Sequence, residues 1–173
     1  LLGMSKSKIW LSSPHMGGTE FDYVKNAFDT NWIAPVGPHI KLFEDKLSKK
    51  SKNYSVAALS SGTAAIHLAL VLLGVSDGDE VLCSSFTFSS SANPIVYQRA
   101  KPIFIDSEHD TWNICPNKLE EAIQSRLKPG KKPKAIIVVH LYGMPAKMNE
   151  IKAVACKFGI PIIEDAAEGL GST

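Results

Sequence analysis

The sequence is poor in cysteine and has no long apolar run. Its three cysteines, Cys83, Cys115 and Cys156, are odd in number and far apart in the chain. That spacing excludes a cysteine-based metal site and disfavours a disulfide framework. No apolar run approaches the roughly 20 residues that span a bilayer, and the segment before Met4 is too short for a signal peptide. We therefore expect a cytoplasmic protein with no membrane partner.

A strong charge of either sign is also absent. The formal net charge is +2 and 21% of the residues are charged, so we expect no nucleic-acid partner. The cluster Lys131-Lys132-Pro133-Lys134 is short and interrupted by proline, and we interpret it as a solvated loop. The motif G-x-G-x-x-G is missing after the first predicted strand, which counts against a Rossmann-type nucleotide binder.

The first 54 residues predict a helical arm. Apolar residues recur at helical spacing over 20–31 and 39–51. The loop between these two helices contains Trp32 and two prolines, which break regular structure. This pattern separates residues 1–54 from a second region, residues 55–173.

In the second region, short apolar strand patterns alternate with helical patterns. Strands are predicted at 56–59, 80–84, 102–105, 135–140 and 160–163, and helices at 64–73, 116–127 and 147–158. Residues 86–89 lead into a further predicted helix that runs through Arg99. This alternation predicts an α/β fold with a mostly parallel sheet that is covered by helices on both faces.

The turn before the first of these helices suits an anion. The turn Ser61-Gly62-Thr63-Ala64 leads into the helix, its backbone N–H groups are unpaired, and the helix dipole favours an anion such as a phosphate there. Gly62 also permits close approach of the backbone. The alternative is ordinary N-capping of the helix by Ser61 or Thr63.

Two more candidate side chains follow predicted strands. Phe88 either stacks on a ligand or packs into the core. Asp165 follows the apolar strand 160–163, where a carboxylate needs a positive partner. The alternatives for Asp165 are capping of a following helix or pairing with an arginine. Glu168 lies three residues further on, on the same side of a helical turn.

These three places together suggest one ligand with a phosphate, a flat ring and a cationic nitrogen. Pyridoxal 5'-phosphate (PLP) has all three. A carboxylate beside the pyridine nitrogen stabilises its protonated form, and the protonated ring is an electron sink for carbanion chemistry.

An ordered set of motifs then identifies a family resemblance. The motifs are Leu11-Ser12-Ser13-Pro14, Gly37-Pro38, Phe43-Glu44, Ser61-Gly62-Thr63-Ala64-Ala65-Ile66-His67-Leu68-Ala69-Leu70, Thr87-Phe88, His140-Leu141-Tyr142-Gly143 and Glu164-Asp165-Ala166-Ala167-Glu168. With them, the chain resembles the DegT/DnrJ/EryC1/StrS family of PLP-dependent sugar aminotransferases of fold type I. The stretches 31–38 and 140–147 are most similar to members that make UDP-4-amino-sugars on the bacillosamine route.

The resemblance implies a role for each candidate in holding the cofactor. Gly62, Thr63 and Ala64 would bind the cofactor phosphate, Phe88 would stack on the ring, and Asp165 would pair with the ring nitrogen.

The resemblance also implies weaker or unusual roles. Glu168 would face the ring hydroxyl, where many relatives carry glutamine; an ionised glutamate can only accept a hydrogen bond there. Trp32 is a candidate contact for the nucleotide-sugar. His140 is another candidate for cofactor or substrate contact, and a structural histidine is its alternative.

The Schiff-base lysine of the family lies downstream of the Glu-Asp-Ala-Ala motif, and no lysine of this sequence has that context. The chain is therefore expected to be the front half of a sugar aminotransferase, with no catalytic residue of its own and without the small C-terminal domain. The resemblance implies that the complete protein is a homodimer that transfers the amino group of glutamate to a 4-keto nucleotide-sugar, for cell-surface glycan or amino-sugar biosynthesis. The alternatives are a dehydratase of the same family, in which histidine replaces that lysine, and a cofactor-binding fragment that does not turn over.

Overall fold

The structure is a computed structural model that describes Lys8, Trp10 and residues 13–172. The chain divides into two compact units, residues 1–58 and 59–173. Leu11 and Ser12, which belong to the first family motif, lie outside the described residues. Among the helices of the described part, none combines the length and the apolar character needed to cross a membrane.

The first unit contains two helices, α1 (Glu20–Asp29) and α2 (Pro38–Lys50), close to the two predicted spans. None of the residues described in these helices is buried. The Glu44 carboxylate accepts a hydrogen bond from the Ala58 backbone N–H at 2.8 Å. Glu44 of the family motif thus ties α2 to the last residue of this unit.

The second unit is built on a four-stranded sheet in which all neighbouring pairs are parallel. Its strands are β1 (Glu80–Ser84), β2 (Lys101–Ile105), β3 (Ala135–Val139) and β4 (Ile162–Asp165). The order across the sheet is β2-β1-β3-β4. The prediction of a parallel α/β sheet is confirmed.

Helices cover both faces of this sheet, as predicted. Helices α3 (Gly62–Leu72) and α4 (Asn93–Tyr97) pack on one face, and α5 (Pro116–Leu127) and α6 (Met148–Phe158) on the other. Ile136, Ile137 and Val138 are consecutive residues of β3 and are all fully buried. Because side chains alternate along a strand, this run contributes to both cores, at about 2 kcal/mol for each side chain.

Two sequence predictions about elements need correction. Residues 56–59 do not form a strand, because a strand needs a neighbour for its backbone hydrogen bonds and no described residue provides one there. The helix predicted between residues 86–89 and Arg99 is a 3-10 turn at Ser89–Ser91 followed by the short α4.

The loop between β2 and α5 is tied to the turn after β3 by Asn113, which is 2% exposed. Its side-chain amide donates to the Met144 carbonyl at 2.9 Å, and its side-chain oxygen accepts from the Leu141 N–H at 2.9 Å. The same loop carries Glu108, whose carboxylate lies 2.8 Å from the Lys147 ammonium at the start of α6. One amide and one ion pair therefore connect two segments that are distant in sequence.

We expect Asn113→Ala to lower the free energy of unfolding by about 2 kcal/mol, because a buried side chain loses two hydrogen bonds to the backbone, each worth about 1 kcal/mol. Urea unfolding of the chain measures this loss. Asn117→Ala, at an exposed position in the first turn of α5, is the matched control and should change stability by only a few tenths of that amount. Equal effects of the two substitutions would contradict the assigned role.

The Glu108 ion pair predicts an acid-sensitive contribution to stability. The Lys147 ammonium, followed by the Thr111 hydroxyl, lowers the pKa of Glu108 from 4.5 to about 2. A carboxyl whose pKa is lowered by folding stabilises the fold above its ordinary pKa, and this contribution is lost as the pH falls toward the folded-state value. The difference in unfolding free energy between the native chain and Glu108→Gln should therefore narrow as the pH falls from 5 to 3.

Chemical denaturation at several pH values checks this trend. Glu150→Gln, in α6, is the control, because Glu150 is exposed and forms no ion pair with any described residue. A difference between the native chain and Glu108→Gln that stays constant over this pH range would refute the ion-pair assignment.

Candidate functional site

The candidate site residues of the second unit gather at the carboxyl edge of the sheet. The loops that follow β1, β3 and β4 begin there. Helix α3 reaches the same edge with its N-terminus, because only residues 73–79 separate its last turn from the start of β1, and α3 contacts the 3-10 turn that follows β1. In parallel α/β sheets this edge is where ligands bind.

The N-terminus of α3 combines a cap with unused donors. The Ser61 hydroxyl oxygen accepts from the Ala64 N–H at 3.1 Å, so the N-capping alternative is part of the structure. The N–H groups of Gly62 and Thr63 have no acceptor among the described residues. An eleven-residue helix thus presents two free donors and its positive dipole end to any anion at this place.

Gly62 is not needed for the conformation of the chain. A Cβ atom built at Gly62 meets nothing within 4 Å, and its φ is not in the left-handed region. Since glycine is less favourable than alanine in a helix, its presence here costs stability. The open space in front of Gly62 fits a ligand that approaches the backbone closely.

Phe88 follows β1 and does not contribute to the core. Its side chain is 79% exposed, which excludes the core alternative within this chain. Phe88 has extended backbone angles immediately before the 3-10 turn. Its ring is available to stack on a planar ligand.

Asp165 is the last residue of β4, and hydrogen bonds orient its carboxylate from two sides. One oxygen accepts from the Ser91 hydroxyl at 2.6 Å, and the other from the Ala167 N–H at 3.4 Å. No lysine, arginine or histidine nitrogen of the described residues lies within 4.0 Å of it. The arginine pair is therefore not formed, and residues 166–172 form turns, not a helix to be capped.

Ser91 is a site residue that sequence reasoning missed. It is fully buried, and its hydroxyl lies 2.8 Å from the Thr87 hydroxyl and donates to Asp165. A carboxylate only accepts, so the Thr87 hydroxyl must donate to Ser91. The sequence contains three consecutive serines at 89–91, and no local pattern indicates which of them turns inward.

Burial and the neighbouring Asp165 carboxylate both act on the Cys83 thiol. Burial first, and then the neighbouring Asp165 carboxylate, raise the pKa of the Cys83 thiol to about 12. Cys83 belongs to the core cluster that also contains Ile66 and Leu70 of α3. Ile163, two residues before Asp165 in β4, packs against the same cluster, so Asp165 lies on the face of the sheet that α3 covers.

Glu168 lies in the turns after Asp165 and is exposed. Its side chain forms no hydrogen bond with any described residue, and its backbone oxygen faces Gly143. The carboxylate is thus available to a ligand at the same edge.

His140 follows β3, and both of its ring nitrogens have partners within the chain. Nδ1 accepts from the Ala146 N–H at 3.1 Å, and Nε2 lies 3.3 Å from a Glu164 carboxylate oxygen. The side chain is 11% exposed. These contacts favour the structural alternative for His140 over direct contact with a substrate.

Trp32 belongs to the first unit, where its ring packs against Gly37. A Cβ atom at Gly37 would lie 3.4 Å from that ring. The side chain is half exposed.

Lys147 is held as a cation by two carboxylates. The Asp110 and Glu108 carboxylates raise its pKa, so its amine is not a free nucleophile.

Two known proteins are similar to this chain over most of its length. The chain is 54% identical over 165 residues to a protein of Bacillus subtilis (strain 168) with the provisional name pyridoxal phosphate-dependent aminotransferase EpsN, covering 95% of this chain and 42% of that protein. It is 40% identical over 159 residues to the GDP-perosamine synthase of Escherichia coli O157:H7, covering 92% and 42%.

Among solved structures, NtdA from Bacillus subtilis with bound cofactor PMP superposes with a TM-score of 0.75 at 35% identity, over 88% of this chain and 35% of that one. The likeness agrees with the large-domain portion of fold type I that the resemblance implied. The chain spans about 42% of the length of the curated relatives named above. A family model matches residues 14–173, and the chain belongs to the DegT/DnrJ/EryC1/StrS aminotransferase family.

Proposed function

We propose that this chain forms the cofactor-binding part of a PLP-dependent aminotransferase that transfers the amino group of glutamate to a 4-keto nucleotide-sugar. The product would serve cell-surface glycan or amino-sugar biosynthesis. The observation that carries the proposal is the Asp165 carboxylate, which two donors orient and no described cation neutralises. The relatives' names, an aminotransferase and a GDP-perosamine synthase, support this reaction class over a dehydratase.

The site residues fit PLP at both ends of the molecule. The free N–H groups of Gly62 and Thr63 suit its phosphate, and the space before Gly62 leaves room for it. The exposed ring of Phe88 suits the pyridine face, and Asp165 suits the ring nitrogen. When bound, PLP supplies an electron sink for carbanions at the substrate carbon.

In this proposal, the described residues of the chain bind and orient the cofactor. Ser91 holds the Asp165 carboxylate in place, so that its charge stabilises a proton on the ring nitrogen. An ionised Glu168 could accept a hydrogen bond from a protonated ring oxygen, but it could not donate one to a deprotonated oxygen. The glutamate donor and the homodimer are parts of the proposal that rest on the family resemblance. The cytoplasmic location and the contact of Trp32 with the nucleotide-sugar are parts that rest on the sequence alone.

Pyridoxamine 5'-phosphate (PMP) is the probe of choice for the isolated chain. It carries the same phosphate and ring nitrogen as PLP, but its amine cannot form imines with surface lysines. Its ring fluorescence reports binding directly. We expect Asp165→Asn to weaken PMP binding by at least about tenfold, because the charge-assisted hydrogen bond is lost while the shape is kept.

Fluorescence titration measures both dissociation constants, with Asp77→Asn as a control in the exposed turn before β1. Unchanged affinity in Asp165→Asn would remove the support for a pyridinium at this carboxylate. Pyridoxamine without phosphate, titrated in parallel, isolates the contribution of the α3 N-terminus.

Gly62→Ala should separate stability from binding. We expect the free energy of unfolding to rise by about 0.5 kcal/mol, because alanine restricts the unfolded chain and meets no neighbour in the folded one. PMP affinity should fall by at least about tenfold, because the new methyl group occupies the space before the free N–H groups.

Gly74→Ala is the matched control. Gly74 also faces open space, but its φ is +68°, so alanine there should destabilise the fold and leave PMP affinity unchanged. A Gly62→Ala chain that binds PMP as the native chain does would contradict phosphate binding at this turn.

A further inference from the structure

The hydrogen bonds of His140 define its tautomer. Because the Ala146 N–H donates to Nδ1 at 3.1 Å, Nδ1 carries no hydrogen. In a neutral imidazole the proton is then on Nε2, which donates to the Glu164 carboxylate at 3.3 Å. The Lys152 ammonium lies 3.7 Å from the other Glu164 oxygen. The ring is thereby fixed on both sides, and neither nitrogen is left for a ligand.

The segment that follows Asp165 lies directly on this ring and on the turn after it. A Cβ atom at Gly169 would lie 3.5 Å from Cδ2 of His140. A Cβ atom at Gly143, where φ is +81°, would lie 2.9 Å from the Glu168 backbone oxygen. The Ser172 hydroxyl also donates to the Gly143 carbonyl at 2.7 Å. Glycine at 143 and 169 lets the two backbones approach closely.

This contact extends to the Asp165 carboxylate. The His140 N–H donates to the Asp165 carbonyl at 3.1 Å, which continues the β3–β4 pairing by one residue. Two residues beyond Asp165, the Ala167 N–H donates to the Asp165 carboxylate. The position of that donor depends on how residues 166–169 are seated.

We propose that His140 is a positioning residue of the candidate cofactor site. In its Nε2–H tautomer, the ring and Gly143 together form the surface that supports residues 166–169. This support directs the Ala167 N–H to the Asp165 carboxylate and sets the position of Glu168. The inference deepens the proposed function and rests on it for the identity of the ligand.

Three substitutions of His140 separate its two hydrogen bonds. His140→Ala removes both, together with the ring. His140→Asn keeps an acceptor near the position of Nδ1 for the buried Ala146, and His140→Gln reaches toward Glu164 instead. We expect His140→Ala to speed hydrogen exchange of the Ala167 and Gly169 amides by at least about tenfold and to weaken PMP binding by about fivefold or more.

His140→Asn should restore most of the protection and affinity, and His140→Gln less, because an unpaired buried N–H is costly. The Ile137 amide, in the centre of β3, should keep its native exchange rate in every variant. Exchange is read by NMR without ligand, and PMP affinity by fluorescence titration.

Gly143→Ala perturbs the same support without touching the imidazole. It should reproduce the faster exchange at Ala167 and Gly169, because its methyl group would meet the Glu168 backbone oxygen. Gly130→Ala is the matched control, since Gly130 has a similar φ of +77° but no neighbour within 4 Å. It should share the backbone strain and leave exchange at 167 and 169 unchanged.

Native exchange at Ala167 and Gly169 in both His140→Ala and Gly143→Ala would overturn the proposal. If His140→Ala does not fold, His140→Asn against His140→Gln and Gly143→Ala against Gly130→Ala decide the question. If the native chain fails to bind PMP, the proposed function fails, and the exchange rates still test the support of residues 166–169 by themselves.

Discussion

The candidate site of the second unit depends on a carboxylate at the carboxyl edge of the sheet that no cation of the described residues neutralises. Asp165 ends a parallel strand, and Ser91 and Ala167 orient its carboxylate with neutral donors. Neutral donors fix the direction of a carboxylate but leave its charge uncompensated, and a half-buried charge favours a positive partner. Under the proposed function, this carboxylate would pair with a cationic ring nitrogen, and the free N–H groups of α3 would bind an anion at the same edge.

The parallel sheet makes this arrangement possible. Since every strand runs in the same direction, the segments after β1, β3 and β4 all leave the sheet at one edge. The chain contributes Phe88 and His140 from the segments after β1 and β3 and Asp165 from the end of β4, and the strand order brings these three places side by side. The core run of β3, which is buried on both faces, keeps these loop origins at fixed spacing.

Much of this fold could be predicted from the sequence, because its signals are local. The apolar run of β3 and the proline that begins α5 each carry their own evidence. Residues 56–59 have an equally good strand pattern, but a strand also needs a partner backbone, which composition cannot supply. The prediction failed there for that reason.

The parts of the site that escaped prediction depend on contacts between distant segments. Ser91 is distinguished from the two preceding serines by its hydrogen bond to the carboxylate of Asp165, which lies 74 residues later in the chain. The sequence makes His140 a candidate for ligand contact, but in the structure the Ala146 N–H and the Glu164 carboxylate are the partners of its two ring nitrogens. Gly62 and Gly143 show the same limit. Open space lies in front of Gly62, whereas the Glu168 backbone oxygen lies close to Gly143. The sequence shows the same residue at both positions.

Because Cys83 is buried, the reactivity of its thiol depends on whether the second unit is folded. A thiol with a pKa of about 12 stays protonated at neutral pH and is a poor nucleophile toward alkylating reagents. Cys156 is exposed and Cys115 is half-buried, so reagents reach them first. Uptake of a third equivalent of label therefore requires an opening of the fold that exposes Cys83 of β1 to the reagent.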